Sequence, residues 1–149
     1  MPKSKPVSAV ALLIEDHDYV KKAFRAFEKM DEEEQPALVK QVLQALKVHT
    51  RIEEEIFYPA VRKAIKDEDL MNEAEVEHDS AKVLIRQLER MKPSDPKFAA
   101  TFTVLGEYVN HHVKEEESEM FPKARRARVN LKGLGAKLMG RKIRLASST

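Results

Sequence analysis

Cysteine is absent from this sequence of 149 residues, and its absence excludes a broad class of chemistry. Disulfides, thiolate zinc sites, iron–sulfur clusters and thiol nucleophiles all require it. Glycine is scarce, with four residues, whereas charged residues make up 35% and hydrophobic residues 42% of the chain. This mixture favours an all-α protein over one rich in strands. The length suits one domain that buries a sizeable core.

Long hydrophobic runs are absent as well. No apolar run approaches the roughly 20 residues that a helix needs to cross a bilayer. The apolar run at residues 7–14 follows Lys3 and Lys5 and loosely resembles a secretion signal. However, Glu15 and Asp16 follow it at once, without a small-residue cleavage site. We therefore interpret this run as the beginning of a first helix and expect a cytoplasmic protein.

Charge is divided unevenly along the chain, although the formal net charge is only +2. Residues 123–149 contain nine Lys or Arg and no acid, so residues 1–122 hold 18 bases against 25 acids. Such a change in charge often marks a boundary between a folded domain and an extension. We expect a main domain at residues 1–122 and a basic, helical extension at residues 123–149.

Apolar residues recur at intervals of three and four along four stretches, which is typical of helices with one buried face. The predicted helices span residues 8–30, then from 32 or 36 to 66, from 67 or 69 to 91, and from 95 or 96 onward. Short connections between them predict an up-down-up-down four-helix bundle. Leucines interleaved with bases predict a further, weak helix after residue 130, which folds back on the bundle or joins a partner subunit in a homo-oligomer.

Polar side chains interrupt the apolar face of each predicted helix. Two similar segments carry a histidine followed four residues later by a glutamate, namely HTRIEEEIFYP at residues 49–59 and HVKEEESEMFP at residues 112–122. A buried, unpaired carboxylate shifts its pKa or drives unfolding, whereas a pair of cations would satisfy it. Histidine and carboxylate together suit iron, manganese or zinc. We favour a metal site over a satisfied polar core, with these ligands: His17, His49, Glu53, His78, His112 and Glu116.

The spacing of these six residues resembles the H…HxxxE…H…HxxxE pattern of the hemerythrin-like, or HHE cation-binding, family over about residues 8–122. The resemblance implies a four-helix bundle that holds two iron ions in an oxo- or hydroxo-bridged non-haem centre, with Glu53 and Glu116 bridging. Manganese and zinc stay alternatives. Oxygen-carrying members have five terminal histidines, whereas Ala74, Lys82 and Glu107 stand where a fifth would be expected here. Coordination positions are therefore left for water, substrate or another side chain.

Several further residues are candidates to complete the coordination, and for each we prefer a simpler interpretation. Glu75 is interpreted as a helix-surface acid and His111 as a solvated histidine that points away from the site. The glutamates at residues 53–55 and 115–117, apart from the two ligands, are interpreted as solvated faces. Ordinary packing with a water-exposed hydroxyl is the interpretation for the three tyrosines, Tyr19, Tyr58 and Tyr108.

The function expected from an open di-iron site is binding or turnover of O₂, peroxide or nitric oxide, with peroxide disproportionation as the enzymatic form. The reduced number of histidines argues against a dedicated oxygen carrier. A non-enzymatic iron buffer or sensor, whose folding depends on metal, is the alternative. The basic extension suggests contact with nucleic acid or an anionic membrane surface, but no nucleic-acid motif accompanies it. We therefore expect no specific nucleic-acid partner.

Overall fold

The computed structural model describes residues 7–147, and the regular structure within that range is entirely helical. The expected all-α class is confirmed. Two π-helical turns join consecutive α-helices, so that α2 continues into α3 and α5 into α6. The elements are α1 (Ala9–Lys29), α2 (Gln35–Ile52), the first π-turn (Glu53–Phe57), α3 (Tyr58–Ile65), α4 (Glu68–Arg90), α5 (Phe98–Glu115), the second π-turn (Glu116–Met120), α6 (Phe121–Arg126) and α7 (Leu131–Ser147).

The beginnings of two helices follow from local side-chain chemistry. The Ser8 hydroxyl accepts a hydrogen bond from the Ala11 amide at 3.1 Å, which caps α1 as predicted. The Asp67 carboxylate accepts one from the Leu70 amide at 3.2 Å and caps α4 in the same way. Each cap satisfies an amide that the first helical turn leaves without a partner.

The π-turns correct the expectation of one continuous α-helix from residue 32 or 36 to residue 66. The distortion begins at the glutamate itself, because the Tyr58 amide donates to the carbonyl of Glu53, five residues back. The second π-turn repeats this bond to the carbonyl of Glu116. Pro59 and Pro122 follow, and a proline has no amide hydrogen with which to continue the α-helical pattern. Single π-turns of this kind are frequent at functional sites.

The core consists of two apolar clusters. On each of α1, α2 and α4, the histidine predicted as a ligand lies between residues of the two clusters, and His112 of α5 lies between the second cluster and Met120 of the second π-turn, which belongs to the first. A polar layer therefore crosses the middle of the helices. The first cluster includes Leu13, Phe57, Met71, Phe121 and Leu138, and the second includes Val20, Leu46, Ile85, Phe102 and Leu105.

The basic extension folds back on its own chain. Helix α7 packs against α1, α2 and the first π-turn, and Leu134 and Leu138 join the first cluster. A Cβ atom at Gly135 would lie 2.0 Å from the Val7 carbonyl oxygen and 2.9 Å from the Ala9 amide nitrogen. The glycine that weakens the helix is thus what allows α7 to approach the backbone at the beginning of α1. Within the described residues, no helix is both long and apolar enough to cross a membrane.

We expect Gly135→Ala to lower the free energy of unfolding by about 1–3 kcal/mol, because α7 must move to relieve the clash with backbone atoms. Gly140→Ala is the matched control, since no atom lies within 4 Å of the position its Cβ would take. It should raise the stability by about 0.5–1 kcal/mol through helix propensity alone. Urea denaturation of both variants measures the difference, and equal effects would contradict this account of α7.

Candidate metal centre

All six predicted ligands meet in the polar layer. Helices α1, α2, α4 and α5 each contribute one histidine, and each π-turn contributes its first residue, a glutamate. The exposed fraction is 0% for Glu53 and 2% for Glu116, and none of the histidines exceeds 9%. Two carboxylates are thus enclosed with four imidazoles in an otherwise apolar interior.

The six side chains form two overlapping groups that could each hold a metal ion. Within each group the donor atoms all lie within 4.8 Å of one another. Glu53 and Glu116 belong to both groups, whereas each histidine belongs to one. The first group is His17, His49, Glu53 and Glu116, and the second is Glu53, His78, His112 and Glu116. Shared carboxylates between two such groups are the arrangement that two bridging glutamates require.

Four further acids, which we call the outer carboxylates, hold the opposite nitrogen of each imidazole. Because an ionised carboxylate only accepts hydrogen bonds, each Nδ1–H donates and each Nε2 faces the site. A carboxylate behind an imidazole is the usual support of a metal-binding histidine. The distances are 2.7 Å from His17 to Glu117, 2.9 Å from His49 to Asp16, 2.7 Å from His78 to Glu54 and 2.7 Å from His112 to Glu77.

The outer carboxylates link the helices into a closed ring. Each is the sequence neighbour of one predicted ligand but supports a histidine on a different helix. Asp16 of α1, for example, supports His49 of α2. The interpretation of the glutamate runs as solvated faces was wrong for Glu54 and Glu117. A sequence signal was present nonetheless, because an acid stands beside His17, Glu53, His78 and Glu116.

The first group shows the clearest sign that it is built for a cation. Among the described residues, four buried side-chain atoms form no hydrogen bond of good geometry: His17 Nε2, His49 Nε2, Glu53 Oε2 and Glu116 Oε1. His17 Nε2 lies 3.2 Å from Glu116 Oε1 and His49 Nε2 lies 3.2 Å from Glu53 Oε1, which are ion-pair distances without hydrogen-bond alignment. Each member of the first group supplies one of the four atoms. Leaving a buried polar atom unsatisfied costs about 1–3 kcal/mol. One cation would satisfy all four, and the nitrogen and oxygen donors suit iron, manganese or zinc.

The hydroxyl of Tyr58 lies in the second group. It donates to Glu116 Oε2 at 2.6 Å and lies 3.0 Å from His78 Nε2 and 3.1 Å from His112 Nε2. Burial, followed by the charges of Glu116 and Glu53, raises the pKa of Tyr58 well above its ordinary value, so the phenol keeps its proton. The expectation of a water-exposed hydroxyl was wrong here. The five-residue hydrogen bond of the π-turn places Tyr58 over Glu53, on the face of the site.

Phe121 occupies the equivalent position in the second half of the chain. It follows Glu116 by five residues and precedes Pro122, as Tyr58 follows Glu53 and precedes a proline. Its ring lies parallel to that of His17, with centroids 6.0 Å apart. A phenylalanine has no hydroxyl to offer. This difference accounts for the unsatisfied atoms of the first group.

Charges within the site compensate one another when no cation is bound. Burial alone would lower the pKa of His49, but the charge of Glu53 and the hydrogen bond to Asp16 raise it to about 10. For Glu116, burial alone would raise the pKa, yet its contacts with Glu53, His112 and His17 hold it well below the ordinary value. A protonated His49 imidazole would therefore supply positive charge beside Glu53.

Known proteins resemble this chain in sequence and in fold. The sequence model of the hemerythrin HHE cation-binding domain matches residues 8–124. The chain belongs to this family. A crystal structure of an HHE cation-binding domain-containing protein from Mycobacterium kansasii has a TM-score of 0.79 and 28% sequence identity, covering 95% of this HHE protein and 89% of that chain.

A curated relative shares only part of its length with this HHE protein. It is a DNA nickase from Nostoc sp. (strain PCC 7120 / SAG 25.82 / UTEX 2576), 35% identical over 81 residues. The match covers 54% of the HHE protein and 23% of the nickase. The chain thus spans about a quarter of that relative, and the activity in its name belongs to that protein.

Two other candidates lie away from the six residues. Glu75 contacts Arg62 on the surface, as expected of a helix-surface acid. The His111 side chain is 67% exposed and lies 3.5 Å from Glu77 and 3.4 Å from Glu115. It points away from the centre, as predicted. Tyr19 and Tyr108 are also exposed.

A cavity of about 790 Å³ connects the centre of the HHE protein to its surface. All four histidines line it, so a small molecule that enters meets the imidazoles directly. The remaining wall is mostly apolar, and Lys142 of α7 stands at its edge. The apolar part includes Val20, Leu46, Ile85, Val109 and Val113.

We expect Glu117→Ala to weaken metal binding by about 10–100-fold, because His17 loses the carboxylate that fixes its Nδ1–H. Glu119→Ala is the matched control, since Glu119 is an exposed acid of the same π-turn. Metal content after competition with a chelator measures both variants. If the two changes weaken binding equally, the ring of outer carboxylates does not orient the ligands.

Proposed function

We propose that this protein is a non-haem di-iron protein that binds or reacts with O₂, peroxide or nitric oxide. The observation that carries the proposal is the set of four unsatisfied buried atoms, one from each member of the first group. An interior that leaves two imidazole nitrogens and two carboxylate oxygens without well-aligned hydrogen bonds is unfavourable unless a cation joins them. The carboxylates behind the histidines support the same conclusion.

In this proposal each group would hold one iron, and Glu53 and Glu116 would be shared by both ions. His17 and His49 would bind one ion, whereas His78 and His112 would bind the other. Bound iron supplies redox capacity and an open coordination position for a small ligand. The chain orients the imidazoles through the outer carboxylates and holds a proton at the Tyr58 hydroxyl. The two apolar clusters enclose the polar layer from above and below, and the cavity gives access to it from the side.

The surroundings of the site allow a small molecule to reach it. The four histidines all line the cavity, which gives a diatomic molecule or peroxide a route to the proposed irons.

We also propose that four helical segments form an up-down-up-down bundle, with residues 123–149 as an extension of the domain at 1–122. These segments are α1, α2–α3, α4 and α5–α6. The proposed setting is the cytoplasm, without a specific nucleic-acid partner.

The direct test is metal analysis and spectroscopy of the purified, iron-loaded full chain. We expect two irons per chain, optical bands that change with O₂ or nitric oxide, and O₂ evolution from hydrogen peroxide. Glu53→Ala should lose most of both irons, because Glu53 belongs to both groups. Glu119→Ala, which removes an exposed acid of the second π-turn, should retain them. A wild-type protein without two irons, or one whose loaded form responds to none of the three ligands, rules the proposal out.

We expect Tyr58→Phe to preserve two irons per chain but to shift the optical spectrum. The reason is that the hydroxyl touches donors from every member of the second group, whereas the ring alone can fill the same space. Tyr108→Phe is the control, because Tyr108 is half exposed and lies outside both groups. Absorption spectra of the loaded variants measure the effect. An unchanged spectrum for Tyr58→Phe would mean that its hydroxyl has no influence on the proposed irons.

A non-enzymatic iron buffer or sensor is the second candidate, and the same unsatisfied atoms favour it. If iron satisfies them, its binding energy contributes to folding. We therefore expect the chelator-treated protein to melt below the iron-loaded protein, as followed by circular dichroism. Equal melting temperatures would argue against a sensor. Iron that stays bound through many turnovers of peroxide would favour the enzymatic function over the buffer.

A further inference from the structure

Helix α7 reaches the metal centre through one side chain. The Lys142 ammonium lies 2.6 Å from Asp16 Oδ1, and the other oxygen of Asp16 lies 2.9 Å from His49 Nδ1. A continuous chain of ammonium, carboxylate and imidazole thus runs from the extension to the first group. Lys142 lies outside residues 8–124, which the family model matches.

The position of Asp16 gives this contact its importance. Its side chain is only 14% exposed, and a carboxylate so enclosed needs a compensating charge as well as hydrogen bonds. The imidazole holds one of its oxygens and the ammonium holds the other. With both oxygens held, the carboxylate has one orientation, and that orientation fixes the Nδ1–H of His49 and directs Nε2 inward.

The second group contains the same arrangement, built entirely within the matched domain. The Lys82 ammonium lies 2.7 Å from Glu54 Oε1, while the other oxygen of Glu54 accepts from His78 at 2.7 Å. Among the described residues, no lysine contacts the outer carboxylates of His17 and His112. Each group therefore has one histidine whose carboxylate is held by a lysine. In the first group, only the extension supplies that lysine.

We propose that Lys142 is a positioning residue of the metal centre, which acts through Asp16 on His49. The inference rests on the proposed function, because it takes His49 as a metal ligand. It assigns to the basic extension a specific part in metal binding. Without Lys142, the first group would hold its ion less tightly than the second, since Asp16 could leave the orientation that fixes the His49 imidazole.

The neighbouring residue provides a control for the docking of α7. Arg141 contacts Glu55 at 2.8 Å, in the same helical turn as Lys142. This ion pair joins α7 to the first π-turn but includes neither a predicted ligand nor an outer carboxylate. Its loss therefore affects the docking of α7 without removing any contact to Asp16. Lys137, an exposed residue of the same helix, controls for the loss of one positive charge.

The experiment compares Lys142→Met, Lys142→Arg, Arg141→Met and Lys137→Met in the full chain. Its readouts are irons per chain, the apparent iron dissociation constant from chelator competition, the absorption spectrum and the urea midpoint. We expect Lys142→Met to raise the dissociation constant of one of the two irons by about 10-fold and to alter the spectrum. Lys142→Arg, which keeps the charge, should restore most of the affinity. Arg141→Met and Lys137→Met should leave iron binding unchanged.

Two results would overturn the assignment of Lys142. One is iron binding by Lys142→Met that matches the wild type. The other is an equal loss of affinity in Arg141→Met, because α7 docking as a whole would then be responsible. A wild-type chain that binds no iron at all is a different failure, which overturns the proposed function itself. Iron content of the wild type therefore separates the two failures.

Discussion

Two glutamate carboxylates lie in the interior of this protein, and the need to compensate their charge governs the structure around them. Neither Glu53 nor Glu116 is more than 2% exposed, so water cannot stabilise the negative charges. Imidazoles from four helices surround them instead, and each imidazole is held from behind by a further acid. The arrangement is stable only with positive charge at its centre, either as protons on the imidazoles or as bound cations. The name of the family, hemerythrin HHE cation-binding domain, refers to bound cations.

The centre is built twice, once from each half of the chain. In each half, one helix carries an acid beside a histidine. The next helix carries a second histidine and, four residues later, the glutamate that begins a π-turn. A further acid and a proline follow that glutamate. The main departure from this repetition is Tyr58, whose counterpart is Phe121. The hydroxyl contacts the donors of one group and leaves the other open, so the two groups are chemically different. The two series are Asp16, His17, His49, Glu53 and Glu54, and then Glu77, His78, His112, Glu116 and Glu117.

The basic extension packs against the apolar core and forms ion pairs near the site. Its leucines belong to the first apolar cluster, and Gly135 allows close contact with the beginning of α1. Charge complementarity then places Lys142 on Asp16 and Arg141 on Glu55. A segment with nine bases and no acid is thus partly neutralised by acids of the main domain. Packing and electrostatics together explain why it lies on its own chain.

Helical periodicity was sufficient to predict four long helical stretches and which of their side chains face inward, but it placed several helix beginnings only to within a few residues. The Ser8 and Asp67 caps were recognisable because capping depends on residues three positions apart. The inward position of the six ligands was recognisable for the same reason, since a helix face repeats every three or four residues. Tyr58 was misjudged because α-helical spacing turns it away from Glu53, and the π-turn reverses that direction.

The sequence by itself determined the helical class, the family and the six side chains that share the interior, because each depends on spacing within a single helix. Only the tertiary structure decided which acid supports which histidine, since every one of those contacts joins two different helices. It also decided where α7 lies and which lysine stands behind Asp16. These contacts are set by how the helices pack around two buried charges, and no local pattern records that arrangement.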